Sequence, residues 1–288
     1  SIKFSVNTSK LRKIFNNIRN FVRYQISTNV AAVALIVIST FVFQWELPLT
    51  ATQILVINIL MDGPPAVALG VEKRHGAVMN KPPRPTDEGL PNFKDMTLIF
   101  YLGFVMVVGT LAIFYVSDGH LYKGDTCTTP FSYKSGTEFI DPFSGELVFY
   151  FDANGDVACN KDAWVSYSES SFEQARTAAF SVFIMFQLFN VSNCRSSSNS
   201  VFKLGPFSNG AINGSVLMSM ALLVLFVQGA EIDIPFTNIQ IGKLLHTTSL
   251  PWESWIVLPA VASVVFWFEE FRKMILVEIL KPKSLFGK

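Results

Sequence analysis

Six long apolar runs constrain what this chain can fold into. A segment needs roughly 20 consecutive, mostly apolar residues to cross the hydrocarbon core of a bilayer. Only 16% of the residues are charged, against roughly a quarter in soluble domains. The sequence therefore predicts an all-α, polytopic membrane helix bundle of six transmembrane helices. The runs are Gln25–Trp45, Leu47–Val71, Met96–Ser117, Thr177–Cys194, Leu204–Ala230 and Ser254–Phe268.

The basic residues are unevenly divided among the connections between these runs. Lys and Arg are concentrated before the first run, between the second and third, and after the sixth. The connection between the third and fourth runs is acidic instead. Because cytoplasmic loops carry an excess of Lys and Arg, we expect both ends of the chain in the cytoplasm and the acidic loop on the exoplasmic side. The expected partner is the lipid bilayer, with no role for nucleic acid.

These assignments divide the chain into five segments. The first mixes basic and apolar residues at helical spacing, and the exoplasmic loop holds one weakly alternating stretch, Glu146–Phe151, that predicts a strand. Because the chain starts without Met or a signal peptide, we expect further sequence before Ser1. The segments are a cytoplasmic stalk helix (1–24), the first three transmembrane helices with a cytoplasmic loop at 72–95 (25–117), the exoplasmic loop (118–172), the last three helices (173–278) and a cytoplasmic tail (279–288).

The cysteines predict a structural role in the exoplasmic loop. Cys127 and Cys159 both lie there, where an oxidising compartment permits a disulfide, whereas Cys194 lies at the cytoplasmic end of its run. Two free buried thiols are the alternative to a Cys127–Cys159 bridge. The three histidines are scattered and no Cys or His cluster has the spacing of metal ligands, which argues against a zinc or redox site.

An aspartate in the second apolar run is the strongest functional signal. A carboxylate inside a membrane costs a few kcal/mol, so by default it faces a polar cavity or a partner. Asn58 precedes Asp62 by one helical turn, which places both side chains on one face. Together they offer the hard oxygen ligands of a cation site.

The residues after Asp62 strengthen this interpretation. In Gly63-Pro64-Pro65 the prolines lack N–H groups, which leaves the carbonyls of Leu60 and Met61 without helical partners. Carboxylate, amide and carbonyl oxygens are what Ca²⁺ accepts, with its six to eight ligands and flexible geometry. The alternative is that Asp62 pairs with a distant basic group and the prolines only kink the helix.

Two further polar residues are candidate additional metal ligands. Asn29 lies in the first run and Gln187 in the fourth. Intramembrane Asn and Gln also bridge helices through hydrogen bonds, so either side chain could serve the structure instead.

At these residues the chain resembles the P-type ATPases that pump calcium. The sequence Asn58-Ile-Leu-Met-Asp62-Gly-Pro-Pro-Ala66 is similar to the sixth membrane helix of the secretory-pathway calcium and manganese pumps, and Lys81-Pro-Pro-Arg84 is similar to the loop that follows it. The stretch Thr28–Val33 and the later Gln187-Leu-Phe-Asn190 look more like the plasma-membrane type. The resemblance covers roughly 11–115 and 177–288, so that the six spans correspond to the family's helices five to ten.

The resemblance implies an ion site and its stoichiometry. Asn58 and Asp62 match the family's sixth-helix calcium ligands. Ala32 and Gln187 stand where the two-site reticulum pumps have glutamates, which implies one ion per cycle. The amide of Asn58 speaks against a sodium or proton-potassium pump, while Mn²⁺ stays open as an alternative to Ca²⁺.

The resemblance also implies parts that this chain does not contain. The sequence has no Asp-Lys-Thr-Gly phosphorylation motif, no nucleotide domain and no fourth-helix Pro-Glu-Gly-Leu. ATP and Mg²⁺ would enter only through those missing N-terminal pump domains of the same polypeptide, and the basic segment 73–94 would transmit their movement. The chain alone is therefore expected to be the non-catalytic, translocating half of an ATP-driven calcium pump.

Two other classes of function stay open. The six helices could form a freestanding cation channel or secondary transporter, or a pump-derived structural subunit without transport. The sequence does not distinguish the plasma membrane from an internal membrane, or show whether the tail after Lys281 regulates anything.

Overall fold

The computed structural model describes most of the chain. Some predicted features lie outside the described residues: Asp62, most of the cytoplasmic loop at 72–95, Cys127 and the tail at 279–288. The described residues are 2–61, 63–72, 93–121, 130, 138–141, 144–151, 157–196, 199–234 and 239–278.

Helices dominate the described residues, with a few short strands between them. Two helical stretches widen into π-helical turns, Ile38–Val42 after α1 and Ile57–Met61 after α2, and Gly119–Leu121 forms a 3-10 turn. The α-helices are α1 (Ile2–Val37), α2 (Ala51–Val56), α3 (Gly63–Gly70), α4 (Phe93–Val116), α5 (Lys161–Cys194), α6 (Val201–Leu204), α7 (Gly210–Gln228), α8 (Ile241–Leu245), α9 (Ser254–Ala262) and α10 (Val264–Glu278). The strands are β1 (Glu138–Ile140), β2 (Leu147–Phe151), β3 (Val157–Cys159), β4 (Asp233–Ile234) and β5 (Ile239–Gln240).

Six helical stretches in the described residues are long and apolar enough to cross a membrane, which confirms the predicted fold class. Three of the six are composite: one consists of α1 and its π turn, one of α2, its π turn and α3, and one of α9 and α10. The protein is therefore an integral, multi-pass membrane protein. The stretches are Leu11–Val42, Ala51–Gly70, Asp95–Val116, Lys161–Cys194, Gly210–Gln228 and Ser254–Ile275.

Successive spans run in opposite directions, which gives the bundle two ends. Trp45, the three-stranded sheet and the start of α5 share one end, called here the sheet end, where Trp45 contacts His120 and Phe114. At the other end, called the basic end, Arg19 pairs with Asp95 at 2.6 Å and Arg195 pairs with Glu72 at 3.0 Å.

A small antiparallel sheet covers part of the sheet end. The strand order is β1-β2-β3, with Phe149 of β2 opposite both Phe139 and Cys159. Val148 and Phe149 are fully buried against the start of α5, where Trp164 and Tyr167 complete the cluster. The predicted strand at Glu146–Phe151 is confirmed as β2.

Helix α5 forms the centre of the bundle. It contacts α1, α3, α4, α7, α9 and α10, and almost every side chain from Thr177 to Cys194 is buried. The surrounding helices therefore enclose the segment Thr177–Cys194, including its polar residues Gln187, Asn190 and Asn193.

Two helix starts differ most from those of the predicted apolar runs. Helix α5 begins at Lys161 rather than near Thr177, because Asn160 caps it by accepting from the Asp162 amide at 3.2 Å. The fifth span begins at Gly210, where Asn209 accepts from the Ala211 amide at 3.0 Å. The residues before it form the separate short helix α6.

Candidate ion site and its anchors

The second span is a broken helix. Helix α2 widens into the π-helical turn Ile57–Met61, and a new helix, α3, starts at Gly63. Pro64 and Pro65 occupy the first turn of α3, where a missing N–H is tolerated because helical N–H groups have no partner there. The break therefore coincides with the predicted ion-site residues, and π turns of this kind are frequent at functional sites.

Of the two principal predicted ligands, the structure describes one. Asn58 lies in the π turn with an exposed side chain, next to the exposed Ile59. Asp62 lies outside the described residues, between the π turn and α3. Their proximity as ligands stays a prediction.

The two additional candidates occupy different environments. Asn29 is exposed on α1, whereas Gln187 is 1% exposed in the interior of α5. Within the described part of the chain neither Nε2 nor Oε1 of Gln187 has a hydrogen-bond partner. Most buried polar side-chain atoms do find a partner, so an unsatisfied amide of this kind requires an explanation.

A hydrogen bond joins α1 to α5 close to both candidates. Asn190 donates through Nδ2 to Oγ of Ser27 at 3.0 Å, and both residues are fully buried. Ser27 lies two residues before Asn29 and Asn190 lies three after Gln187, so the two helices meet at this level. The structure does not bring Asn29, Asn58 and Gln187 into hydrogen-bonding contact in the residues that it describes.

The basic end of the broken helix is fixed by a buried ion pair. Glu72, two residues beyond α3, accepts two parallel hydrogen bonds from Arg195, from Nε to Oε2 and from Nη2 to Oε1, each at 3.0 Å. Asn209 donates through Nδ2 to Oε2 of Glu72 at 2.8 Å. The side chains of Glu72 and Arg195 are 2% and 1% exposed. A bidentate arginine–carboxylate pair of this kind is among the stronger and more directional hydrogen-bonded contacts in proteins.

Further contacts connect this pair to its surroundings. Asn17 of α1 donates through Nδ2 to the carbonyls of Gly70 at 2.8 Å and of Glu72 at 3.2 Å. The remaining donors of Arg195 reach the Gly205 carbonyl at 3.0 Å and the Ser208 hydroxyl at 2.6 Å. Segments from four spans therefore converge on the residues that follow α3.

The sheet end of the broken helix is also held. Thr50 and Gln53 form a capping box, in which Oγ1 of Thr50 accepts from the Gln53 amide at 3.2 Å and Oε1 of Gln53 accepts from the Thr50 amide at 3.0 Å. Gln53 also donates through Nε2 to the His246 carbonyl at 3.2 Å, which links α2 to the segment after α8. A capping box satisfies backbone donors that a helix start would otherwise leave unpaired.

The acidic pair in the sixth span belongs to a second cluster at the basic end. Glu269 accepts from Arg272 at 2.6 and 2.7 Å, and Glu270 accepts from Ser200 and from the Val201 amide. Lys273 is 1% exposed, donates to the Asn193 carbonyl at 3.2 Å and pairs with Glu270 at 3.3 Å. These carboxylates are neutralised by neighbouring cations. Glu270 connects α10 to the start of α6, and Lys273 connects α10 to α5.

The described residues alone do not form a metal site. No group of three or more His, Cys, Asp or Glu side chains among them could hold a metal ion, and Asp62 is not one of the residues to which this finding applies. Cys159 is disulfide-bonded and Cys194 is a free, buried thiol. The predicted partner Cys127 lies outside the described residues, so the pairing stays a prediction.

Residues 46–275 match the family model described as cation transporting ATPase, C-terminus. The chain belongs to this family. It is 34% identical over 265 residues to calcium-transporting ATPase 1 of Schizosaccharomyces pombe, which is 90% of this chain and 22% of that protein. It is 32% identical over 261 residues to calcium-transporting ATPase type 2C member 2 of Mus musculus, covering 91% of this chain and 22% of the relative.

A human relative shows a similar identity and coverage. Calcium-transporting ATPase type 2C member 1 of Homo sapiens is 32% identical over 262 residues, which is 90% of this chain and 23% of that protein. The chain thus spans less than a quarter of the length of these relatives. The family membership confirms the resemblance drawn from Asn58–Ala66 and its flanking motifs, and it identifies the chain with the C-terminal part of a cation-transporting ATPase.

Sequence reasoning missed the anchoring contacts of this family member. Glu72 and Arg195 lie at the ends of apolar runs, where charged residues are ordinary. Their pairing joins residues 123 positions apart. The one available signal was that each charge follows an apolar run directly, so that both fall at the same end of the bundle when successive helices alternate in direction.

Proposed function

We propose that this chain is the cation-translocating part of an ATP-driven P-type calcium pump. The observation that carries the proposal is the family match over 46–275, within which the sequence places Asp62 between the π turn Ile57–Met61 and α3. Asp62 and Asn58 supply the principal oxygen ligands. The transported ion is Ca²⁺, with Mn²⁺ as the alternative ion of the same site.

Two ligand side chains do not fill the coordination shell of Ca²⁺. The ion takes six to eight oxygens, so the proposed site needs Asn29 or Gln187, the carbonyls released by Pro64 and Pro65, and ligands from outside this chain. The exposure of Asn58 and Asn29 leaves space for such ligands. A glutamate on the family's fourth helix, which this chain does not contain, is the expected one.

The proposed stoichiometry is one ion per cycle. Ala32, which is 7% exposed on α1, provides no oxygen from its side chain, and Gln187 provides a neutral amide. Asp62 is the single carboxylate among the ligands proposed from this chain, and one glutamate is expected from the fourth helix. These two negative charges compensate one divalent cation, and a second cation would lack compensating charge. Equilibrium binding of radioactive calcium, divided by the number of phosphorylation sites, measures this ratio directly.

The proposed orientation places the basic end in the cytoplasm. The excess of Lys and Arg in the segments at that end supports it. The disulfide at Cys159 supports an oxidising, exoplasmic environment for the sheet end. Cysteines introduced at exposed Ser166 on the sheet end and exposed Lys203 on the basic end should react with a membrane-impermeant maleimide from opposite sides of sealed vesicles.

The proposal is tested by phosphoenzyme formation from ATP in membranes expressing the complete open reading frame. Calcium-dependent labelling is expected, and Asp62→Asn should abolish this labelling. The matched control Asp162→Asn removes an exposed carboxylate at the start of α5 and should leave labelling unchanged. Parallel titrations with Mn²⁺ decide between the two ions.

Other outcomes would point elsewhere. Labelling that ignores both calcium and Asp62 would mean a different ion or a different site. A complete absence of labelling, combined with cation flux down a gradient, would favour the freestanding channel or secondary transporter.

A further inference from the structure

The segment that follows the broken helix is held more firmly than a loop at a membrane surface requires. Glu72 receives donors from two side chains, Arg195 and Asn209, and its backbone carbonyl receives a third from Asn17. Three of these four residues are at most 5% exposed and Asn17 is 6% exposed. Water therefore has little access to the contact.

The contact is also geometrically specific. Both oxygens of Glu72 meet the planar edge of Arg195, and the remaining donors of Arg195 are used by the Gly205 carbonyl and Ser208. A lysine has one ammonium group and could not satisfy these acceptors together. Burial of the pair is costly unless the geometry and the extra hydrogen bonds compensate for lost hydration. Here all three guanidinium nitrogens of Arg195 donate hydrogen bonds, and both carboxylate oxygens of Glu72 accept them.

The contact lies directly after the half of the helix that would set the position of the ion ligand. Helix α3 runs from Gly63 to Gly70 without interruption, and its last turn continues through hydrogen bonds from the Val71 amide to Ala68 and from the Glu72 amide to Leu69. A rigid helix transmits the position of one end to the other. Fixing Glu72 therefore fixes Gly63, the residue next to Asp62.

We propose that Glu72, Arg195 and Asn209 are positioning residues that fix α3 against α5 and α7, so that Gly63, which follows Asp62 in the sequence, is held at a set depth in the bundle. The inference rests on the proposed function for the role of Asp62. With the capping box at Thr50 and Gln53 holding α2 at the sheet end, both halves of the broken helix are anchored. The π turn between them is left as the part that can change when an ion binds.

The test compares ion affinity with maximal phosphorylation in the complete protein. Glu72→Gln keeps the size of the side chain but removes its charge. Arg195→Lys keeps the charge but removes the planar guanidinium group that binds both oxygens of Glu72. Each should raise the calcium concentration for half-maximal phosphoenzyme formation by about tenfold, which is the effect of a lost interaction of about 1.4 kcal/mol. The maximal level at saturating calcium should stay within twofold of the wild type.

Glu270→Gln is the matched control. It also removes a buried carboxylate at the basic end, but one whose partners are Ser200, Val201 and Lys273 rather than α3. Its calcium affinity should equal that of the wild type. An equal loss of affinity in Glu270→Gln and Glu72→Gln would reduce the effect to general destabilisation and overturn the inference.

Two milder variants keep the test informative if removal of the charge prevents folding. Asn17→Ala removes the hydrogen bonds that Asn17 donates, among the described residues, to the Gly70 and Glu72 carbonyls. Asn209→Ser shortens the side chain and so removes its hydrogen bond to Glu72. The serine keeps an oxygen that can cap α7, whose first amides are bound by Asn209. Each should lower calcium affinity by a factor of two to five. Unchanged affinity in both would contradict the inference that the contacts around Glu72 fix α3.

Hydrogen exchange separates this inference from the proposed function. Amides of Ala68–Glu72 should exchange faster in Glu72→Gln than in Glu270→Gln, whichever ion is transported. If the wild type shows no calcium-dependent phosphoenzyme, the proposed function fails while exchange still reports on the anchor. If the amides of Ala68–Glu72 exchange as slowly in Glu72→Gln as in the wild type, the inference that Glu72 fixes α3 is wrong.

Discussion

Phe186 of α5 packs directly onto the backbone of α4 at Gly109. A Cβ atom placed on Gly109 would overlap the Phe186 ring, which is 1% exposed and enclosed in the main core. The glycine thus lets two spans approach closely at the centre of the bundle, as small residues do between membrane helices. This contact sets the distance between α4 and α5.

Replacing Gly109 should therefore destabilise the bundle. Gly109→Ala adds a methyl group into a filled space, which typically costs about 1–3 kcal/mol. Gly103→Ala on the same helix is the control, since its Cβ would make ordinary contacts at 3.7 Å or more. Thermal unfolding of the detergent-solubilised protein should show a lower Tm for Gly109→Ala alone. Equal Tm values for the two variants would show that Phe186 can move aside.

The aromatic cluster at the sheet end should respond to pH through His120. Its ring stacks on Tyr115 with centroids 4.2 Å apart and lies 6.1 Å from Trp45. Burial lowers the pKa of His120 below its ordinary value of 6.5, although Asp118 and the Tyr115 backbone oppose the shift. The folded protein therefore favours the neutral ring.

The sign of the effect follows from linkage. The unfolded chain binds the proton more tightly, so the stability contributed by neutral His120 is present above pH 6.5 and is lost as the pH falls through 6.5 towards the lowered folded-state value. Between pH 7.5 and 5.5 the Tm of the wild type should fall further than that of His120→Phe, which keeps the stacking. Replacement of the exposed His246 by Asn is the control. Identical pH profiles for wild type and His120→Phe would contradict the assignment.

The stability of the protein should be sensitive to the balance of charge among buried Glu269, Glu270 and Lys273 at the end of the sixth span. Lys273→Met leaves Glu269 and Glu270 with less compensation in a buried site, at a cost on the order of 3 kcal/mol. The double variant Lys273→Met/Glu270→Gln should recover part of this loss, because it removes one negative charge together with the positive one. Lys203→Met, at an exposed position on α6, should leave the Tm unchanged. No recovery in the double variant would show that Lys273 acts through packing alone.

The membrane fold could be predicted from the sequence because the bilayer imposes a simple requirement. Each span must be long and apolar, and that signal is local, as the confirmed runs show. The break at Gly63-Pro64-Pro65 could also be predicted from local sequence, since proline lacks the N–H that a continuous helix needs. The early start of α5 was missed because Lys161–Arg176 is polar overall, although Trp164, Tyr167, Ser171 and Ala175 recur at helical spacing and are all buried.

The anchors could not be predicted because they depend on which helices become neighbours. The sequence places Glu72 and Arg195 at the same end of the bundle but does not say that α3 and α5 meet there. The candidate ligands divide in the same way. The pairing of Asn58 with Asp62 is predicted from their spacing of one helical turn. The burial of Gln187, without a hydrogen-bond partner among the described residues, depends on how α5 packs among several helices.

Gln187 gives the sharpest remaining test of the proposed ion site. A buried amide without partners costs about 1–3 kcal/mol relative to a satisfied or apolar group. Gln187→Leu should therefore raise the Tm of the ion-free protein. If the amide oxygen is a ligand, the same variant should lose much of the additional stabilisation that calcium provides, because stabilisation by a ligand scales with its affinity for the folded state.

Asn190→Leu is the control for this experiment, one helical turn further along α5. Its amide is used by Ser27, so its removal should lower the Tm without changing the increment produced by calcium. A calcium increment that is unchanged in Gln187→Leu would assign Gln187 to helix packing and leave Asp62 and Asn58 as the ligands. A higher ion-free Tm together with a smaller calcium-induced rise in Tm would instead mean that Gln187 lowers the stability of the ion-free protein and provides an oxygen ligand for the ion.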